Sequence, residues 1–553
     1  MSKFVALLLL VVLVSRLMIL DWGLPSDANP AHEHSLFYDS HSTVRDQTMA
    51  LRAVAAAPLG LLTVAKDAYM PLLQRYMATP FLILTYGFKY GFDKTAVTSA
   101  PFYQLSYYAL FYNRIISVLS SVALLYMLII LLRFFKVDSL VSNLVAAVFA
   151  MNPVEIGISI HEKTIVLMAL LLALAFYLLC LWFDNKKTKP FLLAAFFIGL
   201  AVTAREQMLY LGPFFFVIAI LYALRRKVFK YFSFKLILQS VIVWVLGIAV
   251  GSIHLLFAWQ FWFNKILHPG RSWNFSKLWE TNRDLLAVLN LDLAGWLGVV
   301  IFAFTLIWLA VNHRRSSIPT QVLLVWILSY LVIFVIYPVK HPRFIQLINI
   351  YVFLGIGIFL NHYYRRGSLL IRKIIIIIGI LWLGQTVFWG ASALAFFRGE
   401  DNRLIAAREF SLAAPPGSKV ATLIQNMHAR SIPIDPDKYD LYSWDIHHSK
   451  PDNMLYIPSD GGRVARDEKQ RDIGFTNVNP DYILIQYQSG SAWSGIDEKT
   501  MIDFRNRIRN NNNYELIKTY SKRTWRGYSV GVYSTSSRWT YLNPVVEVYR
   551  YKG

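Results

Sequence analysis

Residues 165–183 read IVLMALLLALAFYLLCLWF, and residues 184–189 read DNKKTK. An unbroken apolar run of this length matches the roughly 20 residues that a helix needs to cross a hydrocarbon core about 30 Å thick. The lysines that close it, Lys186, Lys187 and Lys189, are the cationic flank expected at a span end. Cys180 lies inside the run and is the single cysteine of the chain, which excludes an intrachain disulfide and a cysteine-based metal cluster.

Runs of the same kind recur along the first 398 residues. The opening segment, MSKFVALLLLVVLVSRLMIL, starts like a signal peptide but continues into Asp21, Trp22 and Gly23 without a small-residue cleavage site, so it reads as a retained first helix. Further spans are expected at 111–132, 140–156, 165–183, 191–204, 209–224, 236–259, 293–311, 322–339, 344–360 and 374–397, about eleven in all. The composition agrees: 56% of the 553 residues are hydrophobic, only 16% are charged against about 25% in a soluble protein, and mean hydropathy is +0.43. The fold class is a polytopic α-helical membrane protein.

The net charge of +22 would suggest nucleic acid in a soluble chain. Here the cations fall in short loops: Lys3, Arg133 and Lys136, Lys186 to Lys189, Arg225 to Lys227, Arg314 and Arg315, Arg365 and Arg366. All sit on one side of the expected topology, which the positive-inside rule makes cytoplasmic. Nucleic acid is therefore not an expected partner, while membrane lipid is. A long loop at 21–107 then faces outward, with amphipathic stretches at 43–54 and 69–84 suited to the interface.

After Arg398 the sequence changes character. Pro415-Pro416-Gly417 opens a strand at 419–424, with further strands expected at 482–486, 516–520 and 528–533 and a helix around 498–509. Residues 399–553 read as a small α/β domain outside the membrane.

Polar residues that interrupt the spans gather on the outer face. Glu33 and Asp39 in the first loop are carboxylates near the membrane surface, suited to take a proton from an attacking hydroxyl; the plainer reading is a helix cap or a solvated side chain. Asn152-Pro153 leads to His161-Glu162-Lys163, where Glu162 caps the next helix or serves as a second acid that orients an acceptor or binds a divalent cation. Arg205 breaks two spans, and Lys340-His341-Pro342-Arg343 sets a histidine among cations. Such groups either snorkel to head groups or grip a phosphate and stabilise the charge developing on it.

In their order these features resemble the GT-C glycosyltransferases, polytopic enzymes that use polyprenyl-phosphate-linked sugars, and within them the protein-mannosyltransferase and aminoarabinose-transferase branch. The residues that carry the resemblance are Gly23-Leu24-Pro25, Tyr38-Asp39-Ser40, Tyr69-Met70-Pro71 with Arg75-Tyr76, Asn152-Pro153 followed by Glu162, Gly199-Leu200-Ala201 to Arg205-Glu206, and His341-Pro342-Arg343-Phe344. Ser40 stands where that family often has a second acid, which leaves metal dependence open. The resemblance implies inverting sugar transfer at the outer face of a bacterial inner membrane, to a glycan, lipid or protein acceptor. It makes Asp39 or Glu33 the base, has Glu162 position the acceptor or share a Mg or Mn ion with Asp39, and has Arg205, Lys340, His341 and Arg343 hold the donor phosphate. A flippase for a lipid-linked sugar and a non-catalytic assembly subunit are the competing readings. No internal repeat of the kind common in transporters is found.

Overall fold

A computed structural model describes residues 3–21, 24, 73–90, 102–160, 164–204, 233–251, 289, 293, 295–336, 342–424, 432–435, 437–443, 480–487, 505–506, 508–510, 513–521 and 545–552. The chain divides into two compact units: a helical one formed by Met1–Leu20, Ser42–Ala100 and Tyr108–Leu394, and a second formed by Asp21–His41, Pro101–Tyr107 and Ala395–Gly553.

The described helices that begin in or belong to the first unit are α1 (Lys3–Leu17), α2 (Leu73–Tyr90), α3 (Phe102–Phe134), α4 (Ser139–Met151), α5 (Pro153–Ser159), α6 (Ile165–Asn185), α7 (Thr188–Ala204), α8 (Phe234–Gly251), α9 (Trp296–Val311), α10 (Ile318–Ile336), α11 (Pro342–Arg366) and α12 (Leu369–Arg398). Among the described residues five helices are long and apolar enough to cross a membrane, or six if the bent pair α4 and α5 is one span; α7, α9 and most of α10 form shorter apolar helices. The expected span at 209–224 lies outside the described residues.

The expected third span, 140–156, is broken. Asn152 ends α4 and caps α5, its Oδ1 accepting from Val154 N (2.8 Å) and Glu155 N (3.4 Å). Pro153 takes the first helical position, where its missing N–H costs nothing. The two helices meet at 56°. Of the stretch expected to lie at the interface, 69–84, the described part 73–84 forms the start of α2, which runs antiparallel to α3 with Gln74 on Ser117, Phe81 on Tyr112 and Tyr86 on Tyr108. Gln74, Ala78, Leu82 and Tyr86 make its buried stripe. Phe81, Leu84 and Phe88 are exposed on other faces, so α2 shows apolar side chains to its surroundings.

Helices α7 and α8 run side by side and touch through backbone. A Cβ on Gly247 would overlap the Phe196 carbonyl and sit 3.1 Å from Leu200 N; one on Gly199 would overlap the Trp244 carbonyl. Gly247 and Gly251 are four apart, the small-xxx-small spacing that lets membrane helices approach closely.

One end of this unit gathers the basic turns. Phe134 packs on Tyr177 (5.9 Å between centroids), Asp138 N donates to Asn361 Oδ1 (2.8 Å), and the Trp308 ring lies 4.9 Å from His362. Lys136, Arg314, Arg315, Arg365 and Arg366 all lie in or beside these turns, as the positive-inside pattern anticipates.

In the second unit α13 (Asn402–Ala413) precedes a five-stranded mixed sheet of β1 (Lys419–Ile424), β2 (Asp440–Ser443), β3 (Tyr482–Tyr487), β4 (Tyr514–Tyr520) and β5 (Val545–Tyr551), in the order β2-β1-β3-β5-β4. β1 is parallel to β2 and β3; β5 is antiparallel to β3 and β4. Ala406, Ala407 and Phe410 of α13 share a core with Val420, Leu484, Val546 and Val548. Asp401 caps α13 and holds the buried Arg403 guanidinium through both oxygens (2.8 and 2.9 Å). The strand expected at 528–533 lies outside the described residues, as does most of the helix expected at 498–509.

Candidate functional site

The end of the helical unit away from the basic turns carries several buried polar groups. Arg16, in the last turn of α1, is 1% exposed and donates from Nη2 to the Ala150 carbonyl (2.6 Å) and from Nη1 to Ser15 Oγ (2.9 Å). Arg114 of α3 is fully buried and donates to the Leu20 carbonyl (2.8 Å), just where the chain leaves α1 for the first long loop. Gln74 of α2 donates to the Asn113 carbonyl (2.6 Å) and to Ser117 Oγ (2.9 Å). Charged and amide groups in an apolar bundle are costly and mark either structural clamps or working sites.

The break between α4 and α5 adds a carboxylate. Glu155, on the first turn of α5, is 2% exposed, and Asn349 Nδ2 donates to its Oε1 at 3.5 Å. Asn349 sits on α11 six residues after Arg343, about 9 Å along the helix. The Thr164 hydroxyl, at the cap of α6, donates to the Ala204 carbonyl at the end of α7. That bond ties the chain two residues after Glu162 to the chain one residue before Arg205.

The sequence-derived candidates stand around this framework. Glu33, Asp39, Glu162, Arg205, Lys340 and His341 lie outside the described residues. Arg343 is placed by its backbone alone, as the second residue of α11. Of their flanks, the structure joins Thr164, two residues after Glu162, to Ala204, one residue before Arg205. Among the described residues no group of three or more His, Cys, Asp and Glu gathers to hold a metal. The two carboxylates that the resemblance would give a cation, Asp39 and Glu162, are not among them.

Arg16, Arg114, Glu155 and Asn349 were not singled out from sequence. The signal was present: each is a polar or ionisable residue inside an apolar run, which is a pointer to function or to a buried clamp. Spacing alone does not say which of them meet.

Helices of this length and hydropathy define an integral membrane protein. No family model and no curated protein matches the chain. Among solved structures it is similar to ArnT from Cupriavidus metallidurans bound to undecaprenyl phosphate, with a TM-score of 0.47 and 11% identity over 99% of this chain and 98% of that one. It is also similar to the oligosaccharyltransferase of Archaeoglobus fulgidus in its apo form, with a TM-score of 0.45 and 11% identity over 75% of this chain and 62% of that one.

Proposed function

We propose that this chain is a membrane glycosyltransferase that moves a sugar from a polyprenyl-phosphate donor to an acceptor hydroxyl or amine at the outer face of the membrane, with inversion. Asp39 is the base, with Glu33 the alternative. It takes the acceptor proton as the oxygen or nitrogen attacks the anomeric carbon from the face opposite the phosphate. The C–O bond to phosphate breaks, and the leaving phosphate takes the electron pair. Arg205, Lys340, His341 and Arg343 bind that phosphate, where preorganised cations act most strongly on developing charge. Glu162 orients the acceptor.

The observation that carries this reading is the bond from Thr164 to the Ala204 carbonyl. It joins the segment of the proposed acceptor-orienting acid to the segment of a proposed phosphate-binding arginine. The break at Asn152-Pro153 and the contact of Glu155 with Asn349 support it, because they bring the segment that leads to Glu162 against α11, whose second residue is Arg343. A site of this kind needs an acid and a cation on opposite sides of one sugar–phosphate bond.

The test is turnover of the purified protein on a panel of polyprenyl-phosphate sugars, with and without divalent metal, beside Asp39→Asn. The expected result is transfer with one donor and a loss of roughly 10²–10⁴ in the variant, the scale of a lost general base. Turnover within about threefold of wild type would remove Asp39 from the role. Saturable donor binding with no turnover would favour a flippase or a non-catalytic subunit.

A further inference from the structure

Helices α9, α11 and α12 enclose a groove of about 560 Å³ on the helical unit. Its walls include Phe304, Ile307 and Trp308 of α9, Phe359 of α11, and Ile374 and Ile378 of α12. Phe304 and Ile307 are 59% and 60% exposed, which in a membrane-spanning bundle means contact with lipid chains. The groove follows α9 from Leu297 to Asn312, about 22 Å of helix at 1.5 Å per residue. That exceeds the roughly 15 Å of hydrocarbon in one leaflet, half of a core about 30 Å thick.

The groove is not uniform. At one end its lining turns polar, with Asn312 and Tyr363. Just beyond stand six exposed cations: Arg314 and Arg315 in the turn His313–Arg315, Arg365 and Arg366 closing α11, and Arg372 and Lys373 opening α12. Two contacts tie these turns together: Arg372 Nη2 donates to the Arg365 carbonyl (3.2 Å), and Trp308 packs on His362. Residues 312–317 and 361–373 contain no Asp or Glu to balance them. An apolar trough as long as a lipid chain thus opens onto a cluster of cations whose own segments carry no carboxylate, and basic pockets between membrane helices are suited to anionic head groups.

We propose that this groove and its basic mouth are a binding site for an anionic phospholipid, one acyl chain lying in the trough and the phosphate facing the arginines. The inference does not depend on the transferase reading, because it uses the opposite end of the unit. Charge complementarity selects the occupant. A zwitterionic phosphatidylcholine brings an ammonium to the same cations, whereas phosphatidylglycerol brings a net negative charge. Each cation near an anionic lipid surface contributes about fivefold in affinity.

The test is native mass spectrometry of the full-length protein in micelles, titrated with phosphatidylglycerol and with phosphatidylcholine of matched chains. Wild type is expected to retain phosphatidylglycerol preferentially. The variant Arg314→Gln/Arg366→Gln/Arg372→Gln is expected to lose at least about tenfold of that affinity with phosphatidylcholine unaffected. Ile307→Trp, which crowds the trough and leaves every charge in place, is expected to weaken phosphatidylglycerol binding. Lys186→Gln/Lys187→Gln/Lys189→Gln, an equal charge loss outside the groove, is expected to keep the preference. Equal affinity of wild type for the two lipids overturns the proposal. So does a preference that survives the arginine substitutions, or one lost equally in the lysine variant, which would make it a property of general surface charge. Should the arginine variant fail to fold, unchanged phosphatidylglycerol binding in Ile307→Trp overturns it as well.

Discussion

Removing the Glu547 carboxylate is expected to unlatch the sheet unit. Glu547 is 1% exposed on β5 and accepts four hydrogen bonds: from Arg505 Nε (3.0 Å) and Nη2 (2.7 Å), from Arg509 Nη2 (2.6 Å) and from the Tyr549 hydroxyl (2.6 Å). The Arg505 side chain is 16% exposed and that of Arg509 45%, so water compensates Arg509 and not Arg505 when the carboxylate goes. Leaving one member of a buried ion pair alone costs about 3–5 kcal/mol. Glu547→Ala should therefore lose about that much, and Glu547→Gln, which keeps an acceptor, about 1–3 kcal/mol. Pulse proteolysis of the full-length protein over a urea series, scoring cleavage within residues 399–553, reads both. A loss below about 1 kcal/mol in Glu547→Ala would refute the latch, since a buried pair cannot break at the cost of a surface one. The pH dependence follows with its sign. Burial pushes the Glu547 carboxyl up, but the hydrogen bonds from Arg505 and Tyr549 and the charges of Arg505 and Arg509 outweigh it and hold it below the ordinary carboxylate range. Its contribution is thus complete above the unfolded value of about 4.3 and is lost as pH falls through the lower folded value. Glu547→Gln should flatten the acid limb. It should not abolish it, because Glu409 is also held low by its bonds from Lys518 and Tyr520.

Three further outcomes are expected. Gly247→Leu should separate α7 from α8 and cost at least about 1–3 kcal/mol in SDS-induced unfolding, since its side chain has only the Phe196 carbonyl and Leu200 backbone to enter; a neutral result would mean the helices do not touch there. A double-mutant cycle of Glu155→Gln with Asn349→Ala should show coupling of about 0.6–1.7 kcal/mol by the same method, and additivity within about 0.3 would deny the contact between α5 and α11. Thr164→Val, which removes one hydroxyl and keeps the shape, should change stability by about 1 kcal/mol yet lower donor turnover tenfold or more if the segments it joins form the site. Unaltered turnover with lowered stability would leave the bond a purely structural tether.

Much of the helical architecture was legible because the bilayer imposes one length and one polarity on a span. The run from Ile165 to Phe183 and the helix Ile165–Asn185 differ by two residues at one end. The break inside 140–156 was less legible, although Asn152-Pro153 is a cap followed by the residue best suited to the first helical position. In an apolar run of spanning length, hydropathy hides the punctuation. In the second unit β1, β3 and β4 follow their apolar patterns. β5 escaped because Glu547 and Arg550 interrupt VVEVYRY, and it is the bonds from Arg505, Arg509 and Tyr549 that make a carboxylate acceptable there. β2 is four residues long, too short for any period to show.

The sequence by itself determined that this is a membrane protein whose cations favour one end of the bundle, because hydropathy and charge act residue by residue and need no partner to be read. Only the tertiary structure decided which polar residues meet. Arg16 reaches Ala150, Arg114 reaches Leu20, Asn349 reaches Glu155 and Thr164 reaches Ala204 across separations of 134, 94, 194 and 40 residues. Such pairs are set by how helices rotate and pack against one another. In this bundle that depends on surface details such as Gly199 and Gly247, where the lack of a side chain lets two backbones touch.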